Sequence, residues 1–231
     1  MIKLERTSVM NFENAIRGMR NPMKSWDKSD SYYGCEDVHC YKCDFAANCG
    51  RDFYHKMYHI GENDLKLARQ LAHAGSDDRK FLRQIFVSVD ITAPLYWWKE
   101  YDTYKVGTVA NSESTMHKIH AKEFTLEDFS HEHLICNEPV PTTVLSPEQF
   151  LTGIIKALNV CREMFLETGD KKWWWQMIQL LPTSFNQMRT CTLNYENLVN
   201  IYHARKNHKL NEWHTLCDWI LTLPYWEAIC L

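Results

Sequence analysis

Two stretches of this chain carry side chains able to hold an anion beside a planar ring. The first follows Lys105 and reads Gly107-Thr108-Val109-Ala110-Asn111-Ser112-Glu113-Ser114-Thr115. It offers backbone N–H groups, hydroxyls, a carboxamide and a carboxylate with little bulk, which suits a phosphate-bearing or ring ligand. An ordinary polar connection has the same composition. The second runs from Asn194 to Arg205. On a helix, Glu196, Asn200 and His203 fall on one polar face with Arg205 at its end, and a solvated face reads the same way. A third cluster suits a metal. Cys35, Cys40, Cys43 and Cys49 lie close together with His39, His55 and His59, in a Cys/His-rich insertion at about 34–59. Cys40-x-x-Cys43 can set two thiolates on one zinc ion, and Cys35 or Cys49 with a histidine can complete a tetrahedron. No second Cys-x-x-Cys stands at a standard distance, so a surface insertion with free thiols is the competing reading.

Other chemistries lack their patterns. There is no Gly-x-Ser-x-Gly, no P-loop and no Gly-x-Gly-x-x-Gly. His131-Glu132-His133 has the wrong spacing for a zinc-protease helix.

The elements that must position these residues are legible from periodicity and punctuation. Residues 1–30 read as a strand, a short helix beginning near Asn11 and a loop after Asn21-Pro22. Gly61–Ala74 reads as a helix capped by Asn63 or Asp64. Arg79–Arg83 reads as one helical turn. Ile85, Val87, Val89 and Ile91 alternate with Phe86, Ser88 and Asp90, a strand that Ala93-Pro94 ends. An aromatic helical piece, Leu95–Lys105, leads into the small-polar loop. Phe124–His133 reads as loop with a helical turn. Ser146-Pro147-Glu148-Gln149 is a helix start with a capping box, and that helix runs to about Glu167 before Gly169. Its buried side is expected to hold Phe150, Leu151, Ile154, Ile155, Leu158, Cys161 and Phe165. Lys171–Leu181 is helical and carries Trp173-Trp174-Trp175. Adjacent indoles cannot share one face, so at least one should meet solvent, a ligand or another subunit. After a polar turn, Asn194 caps a helix through Arg205, and a last helix covers about Leu210–Leu223. Helix dominates, with short strands, and the class is α+β.

The chain has 231 residues, enough for one large domain or two small ones. A formal charge of −3 gives no case for non-specific nucleic-acid binding. No apolar run reaches membrane-spanning length, and the first residues are not a secretory signal. The reading is therefore a soluble cytoplasmic protein whose cysteines are reduced thiols or metal ligands.

The order of these features resembles the flavin-dependent thymidylate synthases over roughly residues 60–222. That order is strand, Ala93-Pro94, aromatic helix, small-polar loop with Asn111 and Ser114, then Leu181-Pro182 and Asn194…Asn200…Arg205. The family carries an Arg-His-Arg tripeptide, then an Asn shortly before a Ser, and an Arg just after it. Here Thr103-Tyr104-Lys105 stands at the tripeptide, Asn111 and Ser114 match, and Met116 stands where the later Arg would be. The family helix Asn-Ala-Arg-Ser-Leu-x-Asn-Phe-Leu-x-Leu-Arg matches at Asn194, Leu198, Asn200 and Arg205, with Glu196 in place of an arginine. Ile178 replaces another arginine upstream of Leu181-Pro182, and the family's histidine near the folate has no counterpart around Gly75–Gln84.

The resemblance implies a single domain over residues 1–231, with a short mixed sheet and several long helices. It implies methylation of dUMP to dTMP with methylenetetrahydrofolate, FAD and NADPH, in a homotetramer. It places Lys105, Asn111, Asn194 and Asn200 at the flavin, and Glu100, Ser112, Glu113, Ser114, Arg189 and Arg205 at the nucleotide, with Ser114 and Arg205 nearest the chemistry. The three lost arginines, one of them reversed to Glu196, are expected to weaken anion binding, because arginines hold phosphates through bidentate contacts that Lys105 does not reproduce, with Lys99, Lys105, Arg189 and Arg205 as partial compensation. Another pyrimidine nucleotide as substrate, or a non-catalytic nucleotide-binding module, are the alternatives.

Overall fold

The computed structural model describes residues 2–35, 56–141 and 143–231. In chain order its elements are β1 (Lys3–Met10), α1 (Phe12–Met19), β2 (Tyr32–Cys35), β3 (Lys56–His59), α2 (Glu62–Ala74), β4 (Phe86–Pro94), α3 (Leu95–Tyr101) and β5 (Val109–Ser112). There follow α4 (Pro147–Thr168), α5 (Lys171–Leu180), β6 (Asn186–Asn194), α6 (Tyr195–Arg205), α7 (Asn211–Leu221) and α8 (Trp226–Cys230). One sheet has the order β1-β4-β6-β5, and β2 and β3 form a separate antiparallel pair. The fold is α+β, as the periodicities predict. No described helix is long and apolar enough to cross a membrane.

Contacts divide the chain into two units that interleave in sequence. The first comprises Met1–Thr7, Ser88–Thr192 and Asn207–Leu216, and the second Ser8–Val87, Leu193–Lys206 and Cys217–Leu231.

In the first unit, a core of Ile119, Phe124, Phe129, Leu151, Ile155, Leu158, Cys161 and Met177 lies between α4, α5 and the segment before them. Helix α4 starts where its punctuation says. The Ser146 hydroxyl accepts from the Gln149 N–H at 3.3 Å, and the Gln149 side chain accepts from the Ser146 N–H at 2.8 Å. Gly169 ends the helix at φ 66°, the left-handed region that only glycine enters freely. Ser146→Ala is expected to cost about 1 kcal/mol in urea unfolding, because it removes one half of that box. Phe150 departs from expectation: it is 42% exposed rather than buried. Of the indole run, Trp173 and Trp174 pack on the core while Trp175 is 46% exposed.

Two strands lie where the sequence reads otherwise. The "polar turn" before Asn194 is strand β6, and the small-polar loop contains β5, which pairs antiparallel with β6 so that Ser112 faces Arg189. Helix α3 ends at Tyr101, short of Lys105. The short helix α8 follows Pro224 and was not expected.

In the second unit, the N-terminus of α2 is capped from afar. Gly61 is the capping residue, and the Asp30 carboxylate accepts from the N–H groups of Asn63 at 2.9 Å and Asp64 at 3.1 Å. Neither Asn63 nor Asp64 caps, contrary to expectation. A Cβ on Gly61 would run into the Asp30 carboxyl and carbonyl, so the close approach requires glycine. Asp64 is fully buried and takes a structural role described below. Tyr195 is also buried, and its hydroxyl donates to the Pro224 carbonyl at 2.6 Å.

Candidate functional site

The residues singled out after Lys105 lie in the first unit, around β5 and its neighbour β6. Helix α3 supplies the floor. Trp97, Trp98 and Tyr101 are buried, with Trp97 stacked on Tyr101 at 5.1 Å and Trp213 at 4.8 Å from Trp97. The Arg189 guanidinium lies over Trp98, 4.1 Å from the ring centre. It donates to Asp102 at 2.8 Å and to the Gln187 side-chain oxygen at 3.0 Å. Gln187 in turn donates to the Glu113 carbonyl at 2.8 Å, and the Glu113 N–H donates to the Met188 carbonyl at 2.9 Å. A strap of polar contacts thus fixes Glu113 at the end of β5. A planar, delocalised cation suits both the indole face and the carboxylate.

Beyond the strap, the Ser114 hydroxyl accepts from the His117 N–H at 3.0 Å and closes a turn. Asn111, Ser112, Glu113 and Ser114 are all exposed. Lys105 is exposed too. It borders a hollow of about 270 Å³ with Tyr101, Asp102, Tyr104, Thr108 and Ala110. The Thr108 hydroxyl is buried there and has no hydrogen-bond partner. An ammonium beside an unanswered hydroxyl is a donor set that fits an oxyanion. Glu100 turns elsewhere: its carboxylate accepts from the Trp213 indole at 3.1 Å and sits 3.3 Å from the His208 ring.

The remaining residues lie in the second unit on α6. Asn194 is 7% exposed and caps the helix in a reciprocal box with Asn197. Asn200 accepts from Arg79 at 3.2 Å. Glu196 is the centre of a clamp. It accepts from Arg79 at 3.1 Å and from two nitrogens of Arg83, the longer of these contacts being 3.2 Å. Burial pushes the Glu196 carboxyl up, but the hydrogen bonds and charges of Arg83 and Arg79 outweigh it and hold it below the usual range. Glu196 is thus paired with two guanidiniums rather than presenting a lone carboxylate. Two guanidiniums and one carboxylate leave the cluster net positive. Arg79 and Arg83 were missed as site residues, although their four-residue spacing on one helical turn puts both on one side. Arg205 is half-buried at the end of α6.

Thiol chemistry has little support among the described residues. Burial pushes Cys191 and Cys217 up to about 11 and Cys230 up to about 12, so each stays a thiol at neutral pH. Cys136 is exposed, but a hydrogen bond to Glu148 and some desolvation raise it as well. Burial and a hydrogen bond to Glu212 push the Tyr96 hydroxyl up to about 12. Of the proposed zinc ligands, Cys40, Cys43 and Cys49 lie outside the described residues, as does the Cys35 side chain. Among the described residues no group of three His, Cys, Asp or Glu could hold a metal ion.

No family model matches this sequence, and no curated protein matches it. Solved structures do. A crystal structure of thymidylate synthase X (ThyX) from Helicobacter pylori with FAD and dUMP superimposes with a TM-score of 0.65 at 13% identity, covering 99% of this chain and 97% of that one. A second structure of the same enzyme, described as flavin-dependent and complexed with FAD and dUMP, gives 0.63 at 13% identity over 100% and 99% of the two chains. The UMP/dUMP methylase PolB from Streptomyces cacaoi, bound with 5-Br dUMP, gives 0.56 at 15% identity over 99% and 91%. From end to end, this chain has the fold of the flavin-dependent thymidylate synthases.

Proposed function

We propose that the chain is an enzyme that methylates dUMP to dTMP, taking the carbon from methylenetetrahydrofolate, with FAD as its resident cofactor and NADPH as reductant. What supports the reading is the whole-chain likeness to structures that hold FAD and dUMP, together with Lys105 beside its hollow and the Arg79–Arg83 pair gathered on Glu196. One carbon at the oxidation level of formaldehyde replaces the hydrogen on C5 of the pyrimidine and becomes a methyl group by gaining a hydride. FAD, once reduced and bound, supplies that hydride.

The chain's own residues bind and orient. Lys105 and the Thr108 hydroxyl suit one anionic group of cofactor or nucleotide. Arg79 and Arg83, held by Glu196, suit another, in place of the arginine the family carries at position 196. Asn111, Asn194 and Asn200 are assigned to the flavin. Ser112, Glu113, Ser114 and Arg205 are assigned to the nucleotide, with Arg189 and Glu100 acting as positioning residues rather than ligands, since both are already committed to partners within the protein. Arg189, pinned by Asp102, Gln187 and Trp98, fixes the Gln187 side chain that holds the Glu113 carbonyl. The active species is proposed to be a cytoplasmic homotetramer.

The likeness to a UMP/dUMP methylase favours one second reading, the same chemistry on another pyrimidine nucleotide such as UMP. Flavin absorbance of the purified protein, FAD titration, and tritium release from dUMP and UMP labelled at C5 test both. Release from dUMP with bound flavin is the expected result. Faster release from UMP selects the second reading, and no flavin uptake with no release from either nucleotide removes both. Lys105→Ala is expected to weaken FAD or dUMP binding about tenfold, the loss of one modest charged contact. Its melting temperature should stay at the wild-type value, because Lys105 is exposed.

A further inference from the structure

The loop that carries Ser114 has no core of its own. Glu113, Ser114, Met116, His117 and Lys118 are exposed, and the chain is next buried at Ile119. At the start of the loop Glu113 is fastened to β6 through Gln187 and Met188. Between that anchor and Ile119 one side chain of α5 reaches in. The Trp174 indole N–H donates to the Met116 carbonyl at 3.0 Å, across 58 residues of sequence.

Helix α5 is well seated to present that indole. The Asp170 side chain caps it by accepting from the Lys172 N–H at 2.9 Å. Trp174 packs against the core of the unit and edge-on against Trp175, with ring centres 4.8 Å apart. Packing of this kind needs only a ring. An indole N–H is a donor and nothing else, and here it points at the loop.

The contact falls on a particular peptide. The Met116 carbonyl and the His117 N–H belong to one planar unit, and in a trans peptide they point in opposite directions. Trp174 holds the carbonyl end. The N–H at the other end donates to the Ser114 hydroxyl at 3.0 Å. A carbonyl that accepts a hydrogen bond strengthens its own N–H as a donor, and a hydroxyl that accepts one becomes a stronger donor in turn. The Ser114 hydrogen itself has no acceptor among the described residues.

We propose that Trp174 is a positioning residue for the reaction, which acts through the Met116–His117 peptide to hold the Ser114 hydroxyl as a hydrogen-bond donor to the nucleotide. This rests on the assignment of Ser114 to the nucleotide made above. The indole touches no ligand. It fixes one peptide plane, and the plane fixes the hydroxyl. A loose loop would scatter the same hydroxyl over its rotamers and would have to order it on binding.

Three variants of the full chain test this. Trp174→Phe removes the N–H and keeps a ring. Benzothienylalanine inserted at position 174 keeps the shape of the indole and puts sulfur in place of the N–H. Trp175→Phe is the control, since it removes an exposed indole that bonds nothing in the loop. Both changes at 174 are expected to lower kcat/KM for tritium release from dUMP about three- to tenfold, the worth of one neutral hydrogen bond, with FAD affinity unchanged. In a Ser114→Ala background they should cost less than about twofold further, because the hydroxyl they act through is gone. Hydrogen–deuterium exchange reads the positioning without substrate. The peptide holding residues 113–117 should exchange about threefold faster in the 174 variants and at the wild-type rate in Trp175→Phe. Thermal melts check that each variant folds. Unchanged exchange in the benzothienylalanine chain, or an activity loss just as large without Ser114, would overturn the proposal. Faster exchange beside a wild type that releases no tritium would uphold the positioning and overturn the functional reading instead.

Discussion

Asp64→Asn is expected to lower the unfolding midpoint by about 6–20 °C, the largest stability loss from any single substitution argued from this structure. The Asp64 side chain is fully buried and answers a set of donors from three directions. Arg20 lies 2.5 Å from one oxygen. The hydroxyls of Ser29 and Ser31 donate to the other at 2.6 Å each, and the N–H groups of Asp30 and Ser31 approach it at 3.2 Å. An asparagine offers only one acceptor oxygen. Its amide would point hydrogens at donors, and the Arg20 guanidinium, 4% exposed, would keep its charge without a counter-ion. Breaking one side of a buried pair costs about 3–5 kcal/mol. In a chain of this size each kcal/mol moves the midpoint by about 2–4 °C.

The pH dependence gives a second reading of the same contact. Burial pushes the Asp64 carboxyl up, but the hydrogen bonds from Ser29, Ser31 and Arg20 prevail, and its folded value lies below the ordinary 3.8. A depressed carboxyl contributes its stability above the unfolded value and loses it as pH falls through the folded one. The gap between wild type and Asp64→Asn should therefore be constant near neutrality and shrink below about pH 3.8. Urea unfolding at neutral pH and again in acid measures it. An equal gap at both would mean that the carboxylate's charge is not what matters.

This contact also shows where the sequence stops being informative. A reader of the chain sees Asp64 near a helix start and assigns it as a cap, because caps are local and buried pairs are not. Its partners lie 33–44 residues away, and nothing in composition links them. Local grammar served well elsewhere. Ser146-Pro147-x-Gln149 and Gly169 marked both ends of α4, and the Val87-Val89-Ile91 alternation marked β4. The sheet's other half was hidden for a physical reason. Strand β5 is exposed along its whole length, so no burial alternation could reveal it. Strand β6 puts Gln187, rather than an aliphatic residue, at a buried position. The candidate site shows the same division. Asn111, Ser114, Asn194, Asn200 and Arg205 are candidates through a motif. Gln187, Arg79 and Arg83 emerged only when the folded chain brought them to their neighbours.

Glu196→Arg, the change that returns this position to the residue carried by the resembling family, is expected to damage flavin binding rather than improve it. On the sequence alone the carboxylate looks like a charge of the wrong sign, and restoring arginine should help. The folded chain argues the opposite. Arg79 and Arg83 converge on this carboxylate across 117 and 113 residues of sequence. They supply the positive charge of the cluster, and Glu196 holds them in place. An arginine there would set three guanidiniums together with no counter-ion and release the Arg79 contact to Asn200 as well. A charge-assisted hydrogen bond is worth about 1.5–3 kcal/mol, taken at the low end because 23% of the Arg79 side chain meets solvent. That corresponds to about tenfold or more in the dissociation constant for FAD, if FAD binding requires the clamp to be formed. Glu196→Gln keeps two acceptor contacts without the charge and should fall between wild type and Glu196→Arg. Fluorescence titration with FAD, read beside a thermal melt of each variant, separates a lost ligand contact from a loosened helix. Tighter flavin binding by Glu196→Arg at an unchanged melting temperature would show that the clamp is not what presents these cations, and that the anion is held from position 196 itself.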